Sequence, residues 1–435
     1  MLKKCAKKGL GYIIIFFVTL FILFGMLVGA ASIPKEKIQK NMESSAQYLN
    51  DGETYFALNE NAESTVVDRY ADSIRLLIAY NYDRENLLES VMWSSYYFKV
   101  GETATKCLYD SINYGYPPNK QYMRYWHGDE IFIILFHLIG NVQLMYIADA
   151  IIMAVLAVLL FVLLWKNKLK GGAIAFLIAL ISGTVWVTPF SLEYTDMMML
   201  MLILTLAAVI FELKGKQFLL GPLFFIGGMA ASFMDFLTVE TLTITFPLLF
   251  VIYIRQRNIG FKKDDFKKSI GAVLLWFVGF ILTWISKWLI ASIVLGQNVM
   301  PYVTEHIAER LDGQLKESLS LLQYIYRAIT TNLSTLFPFD FGSVGILISI
   351  GAIIFVFYLC FVHRNGNYNK KLIAVYFIIA AIPYIRYIVL HNHSYMHFHF
   401  TYRAQMATVL AVCLIVGEIT KGGFIRHGTK KRRVA

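Results

Sequence analysis

Charged residues are scarce in this chain of 435 residues, since Asp, Glu, Lys and Arg together make up 16% of it. An ordinary soluble protein has about a quarter. Hydrophobic residues reach 57%, a balance that excludes an ordinary soluble protein. Several apolar runs have the roughly 20 residues that a helix needs to cross a bilayer, and a backbone inside lipid must satisfy its own hydrogen bonds. The composition therefore predicts an all-α polytopic membrane protein.

Cysteines are also few, and internal repeats are lacking. The four cysteines do not form a spaced set, so neither a disulfide framework nor a zinc site is indicated. No internal repeat is visible, which argues against the paired-repeat architecture of many transporters. The net charge is +11, but Lys and Arg collect in short loops on one side of the predicted membrane. This is the positive-inside pattern, so no nucleic-acid partner is expected.

The apolar runs predict about ten transmembrane helices with both termini in the cytoplasm. Short loops assigned to the inside carry Lys or Arg, whereas the short outer turns 191–196, 234–240 and 391–402 carry neither. The first run indicates an uncleaved anchor, with a signal peptide as the alternative. The predicted segments are 1–31 (amino terminus and first span), 32–143 (extracytoplasmic insert), 144–295 (spans two to seven), 296–341 (second extracytoplasmic segment), 342–420 (spans eight to ten) and 421–435 (basic cytoplasmic tail).

Polar side chains that could perform chemistry are concentrated in the insert, which should be helical in pieces. The stretch Val66–Tyr80 has apolar residues at helical spacing. Within it, Asp68 and Asp72 are four residues apart and share one helix face, where each carboxylate can raise the pKa of the other. Either is a candidate general base. The alternative is an exposed helix face on which Asp72 pairs with Arg75.

The insert closes with Arg124-Tyr-Trp-His-Gly-Asp-Glu130. Arg124 and His127 can hold a phosphate, and Trp126 can stack on a sugar. Asp129 and Glu130 can bind a metal ion or a hydroxyl group. The alternative is an interfacial aromatic belt with a charged fringe.

Two basic residues, Arg386 and Lys287, lie inside apolar runs, and an intramembrane charge is a functional candidate by default. The alternative for both is that the side chain snorkels to the interface. Arg386 and Arg403 bracket one outer turn, and together they can hold a lipid phosphate.

The outer turns add candidates for substrate binding. Asp235 and Glu240 follow the fifth span, although single acids at helix ends are often solvated caps. His397 belongs to a group of four histidines within residues 391–399, for which an interfacial role is favoured over a metal site.

This layout resembles the GT-C class of membrane glycosyltransferases. Local similarity to bacterial members of that class lies in Tyr70-Ala-Asp72, Arg124-Tyr-Trp-His-Gly128, Asp235-Phe-Leu-Thr238 and His397-Phe-His-Phe-Thr-Tyr-Arg403. The resemblance implies a multi-pass enzyme of the bacterial plasma membrane. It would move a sugar from a polyprenyl-phosphate carrier to a cell-envelope glycan or polymer acceptor on the extracytoplasmic face.

The resemblance also implies roles for the candidate residues. Asp72 would be the base, with Asp68, Asp129 and Glu130 as the other carboxylates considered. The departing lipid phosphate would be stabilised by Arg386, Arg403 and Arg124. In the class the base lies close after the first span, and here Glu36 and Glu43 precede Asp68, which leaves the choice of base open. A divalent cation is compatible with the acids but not required. The alternative functions are a transporter or flippase for a lipid-linked precursor and a non-catalytic assembly partner.

Overall fold

The computed structural model describes residues 2–234, 237–305, 319–363 and 368–424, with side chains from residue 9 to residue 420 of these ranges. The α-helices of the first half are α1 (Leu2–Ala31), α2 (Lys35–Asn50), α3 (Arg69–Tyr80), α4 (Leu87–Trp93), α5 (Ala104–Tyr114), α6 (Glu130–His137), α7 (Val142–Lys166), α8 (Lys170–Ser182) and α9 (Leu192–Leu213). Those of the second half are α10 (Leu220–Met234), α11 (Leu242–Asn258), α12 (Lys263–Val294), α13 (Leu321–Thr335), α14 (Gly342–Val362), α15 (Lys370–Val389), α16 (His391–Met396), α17 (Phe398–Thr401) and α18 (Met406–Phe424). Residues 300–305 are also helical.

Eight stretches of helix among the described residues are long and apolar enough to cross a membrane. Seven of them correspond to α1, α7, α9, α10, α12, α14 and α15, and the eighth runs from α17 into α18. The prediction of an all-helical, multi-pass membrane protein agrees with this architecture.

The other two predicted spans are shorter helices. Helix α8 has 13 residues and α11 has 17, so a total of ten spans stays a prediction. The outer turn predicted over 191–196 implies that the apolar run of α8 continues to Phe190, but the helix ends at Ser182. Beyond it the chain turns to bond with other segments: the Gly183 carbonyl accepts from Arg403 Nε at 3.1 Å, and the Thr184 hydroxyl donates to the Ser64 carbonyl at 2.9 Å.

Small residues bring α10 and α12 into close contact. A Cβ atom on Gly228 would lie 2.0 Å from the carbonyl oxygen of Trp276, and one on Gly279 would lie 2.3 Å from that of Phe225. The two backbones therefore touch directly, as membrane helices with small residues at their interface do. These two closely packed helices lie beside the insert and contact its residue Trp126.

A buried charge network joins α9, α11 and α12. Arg255 of α11 donates to both carboxylate oxygens of Glu212, at 3.0 and 3.1 Å, and to Asp265 at 3.3 Å. All three residues are buried. Glu212 lies in the last turn of α9, so the network ties down that end of the helix.

The region between α1 and α7 folds as helices α2–α6 with one short hairpin. Strand β1 (Tyr55–Ala57) pairs antiparallel with β2 (Val66–Asp68). The helix expected over Val66–Tyr80 therefore begins three residues late, at Arg69. The helix is buried on nearly all sides. Its fully buried residues Leu76, Leu77 and Ile78 pack in one core with α1, α2, α5 and α6.

Buried hydrogen bonds fasten this region to the membrane helices. The Trp126 indole donates to the Thr283 carbonyl of α12 at 2.7 Å, and the Lys287 ammonium of α12 donates to the Val91 carbonyl at 3.0 Å. Lys287 is fully buried, so the alternative that its side chain snorkels to the interface is wrong. The insert and the membrane helices thus share buried surfaces from which the candidate site is built.

Candidate functional site

Two adjoining cavities lie where the insert meets the membrane helices. The larger has a volume of about 850 Å³ and the smaller about 110 Å³. Both are lined by Tyr70, Ile74, Tyr122 and His397, so they share a wall. The larger cavity is also lined by Trp93, Tyr96, Lys120, Arg124 and Tyr302, and the smaller by Tyr55, Asp68, Arg75, Glu193, His393 and Phe400.

Asp68 places a carboxylate at the smaller cavity. Its position follows from its role as N-cap of α3, in which Oδ1 accepts from the Ala71 amide at 2.9 Å. Its other oxygen, Oδ2, lies 3.6 Å from Nε2 of His399. A capping residue is held in one orientation by its helix, so Asp68 presents a positioned carboxylate to the cavity.

Asp72 occupies a different environment, although it shares α3 with Asp68. It is fully buried, and its carboxylate accepts from the Leu192 amide at 2.9 Å, the Ser191 hydroxyl at 3.3 Å and the Tyr146 hydroxyl. Burial raises the pKa of Asp72 to about 7. Asp72 is not among the residues that line the two cavities. Since Asp68 and Asp72 are both buried, the expectation of an exposed helix face is wrong.

Of the sequence run before α6, Arg124 reaches the larger cavity. Its guanidinium lies 4.5 Å from the centre of the Tyr122 ring and donates to the Tyr122 hydroxyl at 3.0 Å. Trp126 instead is fully buried between Phe24 and Phe233, with ring centroids 5.6 and 5.3 Å away. Trp126 therefore anchors the segment, and Arg124 is the member of this run that a ligand in the larger cavity would meet.

A buried cluster behind the smaller cavity is organised around Arg75. Its guanidinium forms ion pairs with Asp129 and with Asp196 of α9. Burial raises the pKa of Asp129 to about 6 against the effect of Arg75, and it raises the pKa of Glu130 well above its ordinary value. Burial lowers the pKa of His127 well below its ordinary value. His127, Asp129 and Glu130 each offer one ligand atom, and these atoms lie within 4.8 Å of one another.

Arg386 and Arg403 are both buried and fully engaged in hydrogen bonds. Arg386 donates to Glu240 at 2.8 Å, to Ser394 at 3.2 Å and to two carbonyls, those of Leu237 and Thr238. The snorkelling alternative for Arg386 is therefore wrong. Neither arginine is among the residues that line the two cavities.

Arg403 makes its own set of contacts with backbone carbonyls. It donates to those of Gly183, His399 and Ser64, each at 3.1 Å. These bonds join the carboxyl-terminal helices to the insert. In this arrangement Arg386 and Arg403 hold the walls of the site together.

The remaining predicted residues also divide into those that line a cavity and those that do not. His397 lines both cavities and stacks on Phe400, with ring centroids 5.2 Å apart. Glu240 is the buried partner of Arg386. Asp235 lies outside the described residues.

Sequence reasoning missed the roles of Arg75, Glu193 and Tyr70. Arg75 was weighed only as a neighbour of Asp72, because its ion-pair partners lie 54 and 121 residues away along the chain. Asp196 had been placed in an outer turn, but it lies within α9. The signal in the sequence was that Asp196 adjoins an apolar run, where a carboxylate needs a cation as its partner.

Comparisons of the chain with protein-family models, with curated proteins and with solved structures give no match.

Proposed function

We propose that this protein is a membrane glycosyltransferase that takes a sugar from a polyprenyl-phosphate carrier and passes it to a cell-envelope acceptor. The observation that carries the proposal is the pair of adjoining cavities, one walled by aromatic and basic side chains and the other bearing the carboxylate of Asp68. A transfer site needs these features side by side: a place for an anionic donor, and a base for the acceptor hydroxyl.

The larger cavity suits the donor. Arg124 and Lys120 line it, and a guanidinium can grip a phosphate through two parallel hydrogen bonds. Tyr70, Trp93 and Tyr96 supply aromatic faces for a sugar ring. Cations fixed near the departing phosphate act most strongly as charge builds on it during transfer.

The smaller cavity suits the acceptor. Asp68 accepts the proton of the attacking hydroxyl, and its Oδ1 stays fixed by the Ala71 amide. His399, with Nε2 at 3.6 Å from Asp68 Oδ2, orients this second oxygen. The geometry favours Asp68 over Asp72 as the base, because Asp72 is enclosed by three donors and has no access to either cavity.

The finer topology belongs to the same proposal. Helices α8 and α11 complete ten spans in a GT-C-like layout in the bacterial plasma membrane, with both termini in the cytoplasm and the insert outside. Helix α11 is largely buried against longer helices, and α8 is about half buried, which is compatible with positions in the bundle.

The test is turnover of radiolabelled polyprenyl-phosphate sugars by the purified protein in lipid nanodiscs. Asp68→Asn should reduce the rate by about 100- to 10,000-fold, the usual loss of one general base. Asparagine is as good an N-cap as aspartate, so the variant should keep its thermal stability.

A matched control is Glu60→Gln, which changes an exposed carboxylate in the loop between β1 and β2 and should keep the wild-type rate. Wild-type turnover by Asp68→Asn would remove Asp68 from the role of base. Absence of turnover by the wild-type protein, together with movement of the lipid-linked sugar across vesicle membranes, would establish the transporter function instead.

A further inference from the structure

The turn that leads into α6 brings three potential metal ligands together. His127 has a positive φ of 57°, and the amide of the following Gly128 donates to the Phe233 carbonyl at 2.9 Å. A Cβ atom on Gly128 would lie 2.0 Å from the Phe233 ring and 2.7 Å from that carbonyl. The turn is therefore pressed against α10, which fixes the directions of His127, Asp129 and Glu130.

The donor atoms of this group suit a metal ion. His127 Nε2 lies 2.7 Å from the Tyr122 carbonyl, so Nε2 carries the proton and Nδ1 keeps its lone pair. Metal-binding histidines commonly donate their other ring N–H to a carbonyl in this way. Asp129 gives one oxygen to Arg75, and its Oδ1 has no hydrogen-bond partner among the described residues.

The buried carboxylate of Glu130 is the independent observation that points to a bound cation. It is fully buried, and neither of its carboxylate oxygens has a hydrogen-bond partner within the described part of the chain. A buried polar group without a partner is costly. Arg75 is already shared between Asp129 and Asp196.

We propose that His127, Asp129 and Glu130 hold a divalent transition-metal ion in a buried site. One imidazole with two carboxylates suits Zn²⁺ or Mn²⁺, whereas Mg²⁺ and Ca²⁺ prefer oxygen ligands alone. All three residues are at most 1% exposed, so the ion would be enclosed by protein. None of them is among the residues that line the two cavities.

The ion has a defined positioning role. It fixes Asp129, which pairs with Arg75, and Arg75 also pairs with Asp196 of α9. Arg75 lines the smaller cavity, so the metal would fix the positions of α3, α6 and α9 relative to one another behind this cavity. This inference does not depend on the transferase proposal, because metal content is measured without any activity.

The experiment measures the metal content of the full-length protein, purified through a non-chelating affinity tag from cells grown with added Zn²⁺ and Mn²⁺. We expect about one ion per chain in the wild type. Glu130→Gln and His127→Gln should lower the content by about tenfold or more, because each removes one of three protein ligands. His137→Gln is a matched control in α6: its ring nitrogens contact Ser45 Oγ at 2.9 Å and the Ile133 carbonyl at 2.7 Å, so the metal should remain.

X-ray absorption of the wild-type protein provides a second measurement that needs no variant. It should show one imidazole and oxygen ligands with no sulfur. A wild-type protein without stoichiometric metal would overturn the proposal, and so would metal that persists in correctly folded Glu130→Gln. A sulfur-ligated spectrum would place the ion elsewhere and would also overturn it.

Discussion

Replacing Asp72 with asparagine should stabilise the protein at alkaline pH. The carboxylate is fully buried, and burial raises its pKa from 3.8 to about 7 even though three hydrogen-bond donors favour the ionised form. Asparagine keeps an oxygen for the Leu192 amide and has almost the same shape. It therefore resembles the protonated aspartic acid and removes only the buried charge.

The size of the effect follows from the difference between the folded and unfolded pKa values. A shift from 3.8 to about 7 is about 3 pKa units, or about 4 kcal/mol at most, since each unit corresponds to about 1.4 kcal/mol. The folded state binds the proton more tightly than the unfolded state. The contribution of Asp72 to the free energy of unfolding therefore falls as pH rises from about 4 to about 7, and it stays at its lowest value above that range.

The assay is the thermal unfolding midpoint in detergent at one scan rate, measured from pH 4 to pH 8.5 for both proteins. The two curves should approach each other near pH 4, diverge as the pH rises and be farthest apart above pH 7, with Asp72→Asn higher by several degrees. Other groups titrate in both proteins, so the difference between the two curves isolates Asp72. A variant less stable than the wild type at pH 8.5 would refute the reasoning, since it would mean that the three donors outweigh burial.

Three further outcomes are expected. Arg124→Ala should raise the donor KM by about tenfold or more, and Arg124→Lys by less, because lysine keeps the charge but loses the bidentate grip. Initial rates against donor concentration measure this, and an unchanged KM would place the phosphate elsewhere. Arg386→Ala should lower the free energy of unfolding by about 3–5 kcal/mol, because it leaves Glu240 buried without its cation; a thermal midpoint equal to that of the wild type would contradict this role. Cysteine at the exposed position Glu53 should react with an impermeant reagent in intact cells and cysteine at Lys262 should not, and the reverse labelling would invert the proposed orientation.

The membrane architecture could be predicted because hydrophobic runs report directly on helices that contact lipid. The helix ends that were predicted wrongly are those where a polar contact decides the boundary of the helix. The outer turn predicted over 191–196 places Asp196 outside the fourth span. Helix α9 nevertheless starts at Leu192, because Arg75 neutralises Asp196 inside the helix. The third predicted span continued to Phe190 because hydropathy does not reveal that Gly183 and Thr184 bond to Arg403 and Ser64.

The candidate site could be predicted only in part, for the same physical reason. Asp68, Arg124 and His397 were singled out from the sequence and line the cavities. Arg386 was singled out with equal justification. Its carboxylate partner Glu240 lies 146 residues away, so the sequence does not show that the two residues pair. Residue types show which side chains can carry a charge, whereas the fold decides which of those charges another side chain neutralises.

Helix α9 carries an acid paired with an arginine near each end, and this has a consequence for the order of assembly. Asp196 and Glu212 are separated by about 24 Å at 1.5 Å per residue. The cation of the first, Arg75, is made before α9, whereas the cation of the second, Arg255, follows Glu212 by 43 residues. When α9 leaves the ribosome, one of its carboxylates already has its arginine and the other has none. The buried ion pair at the Glu212 end of α9 can therefore form only after α11 has been synthesised.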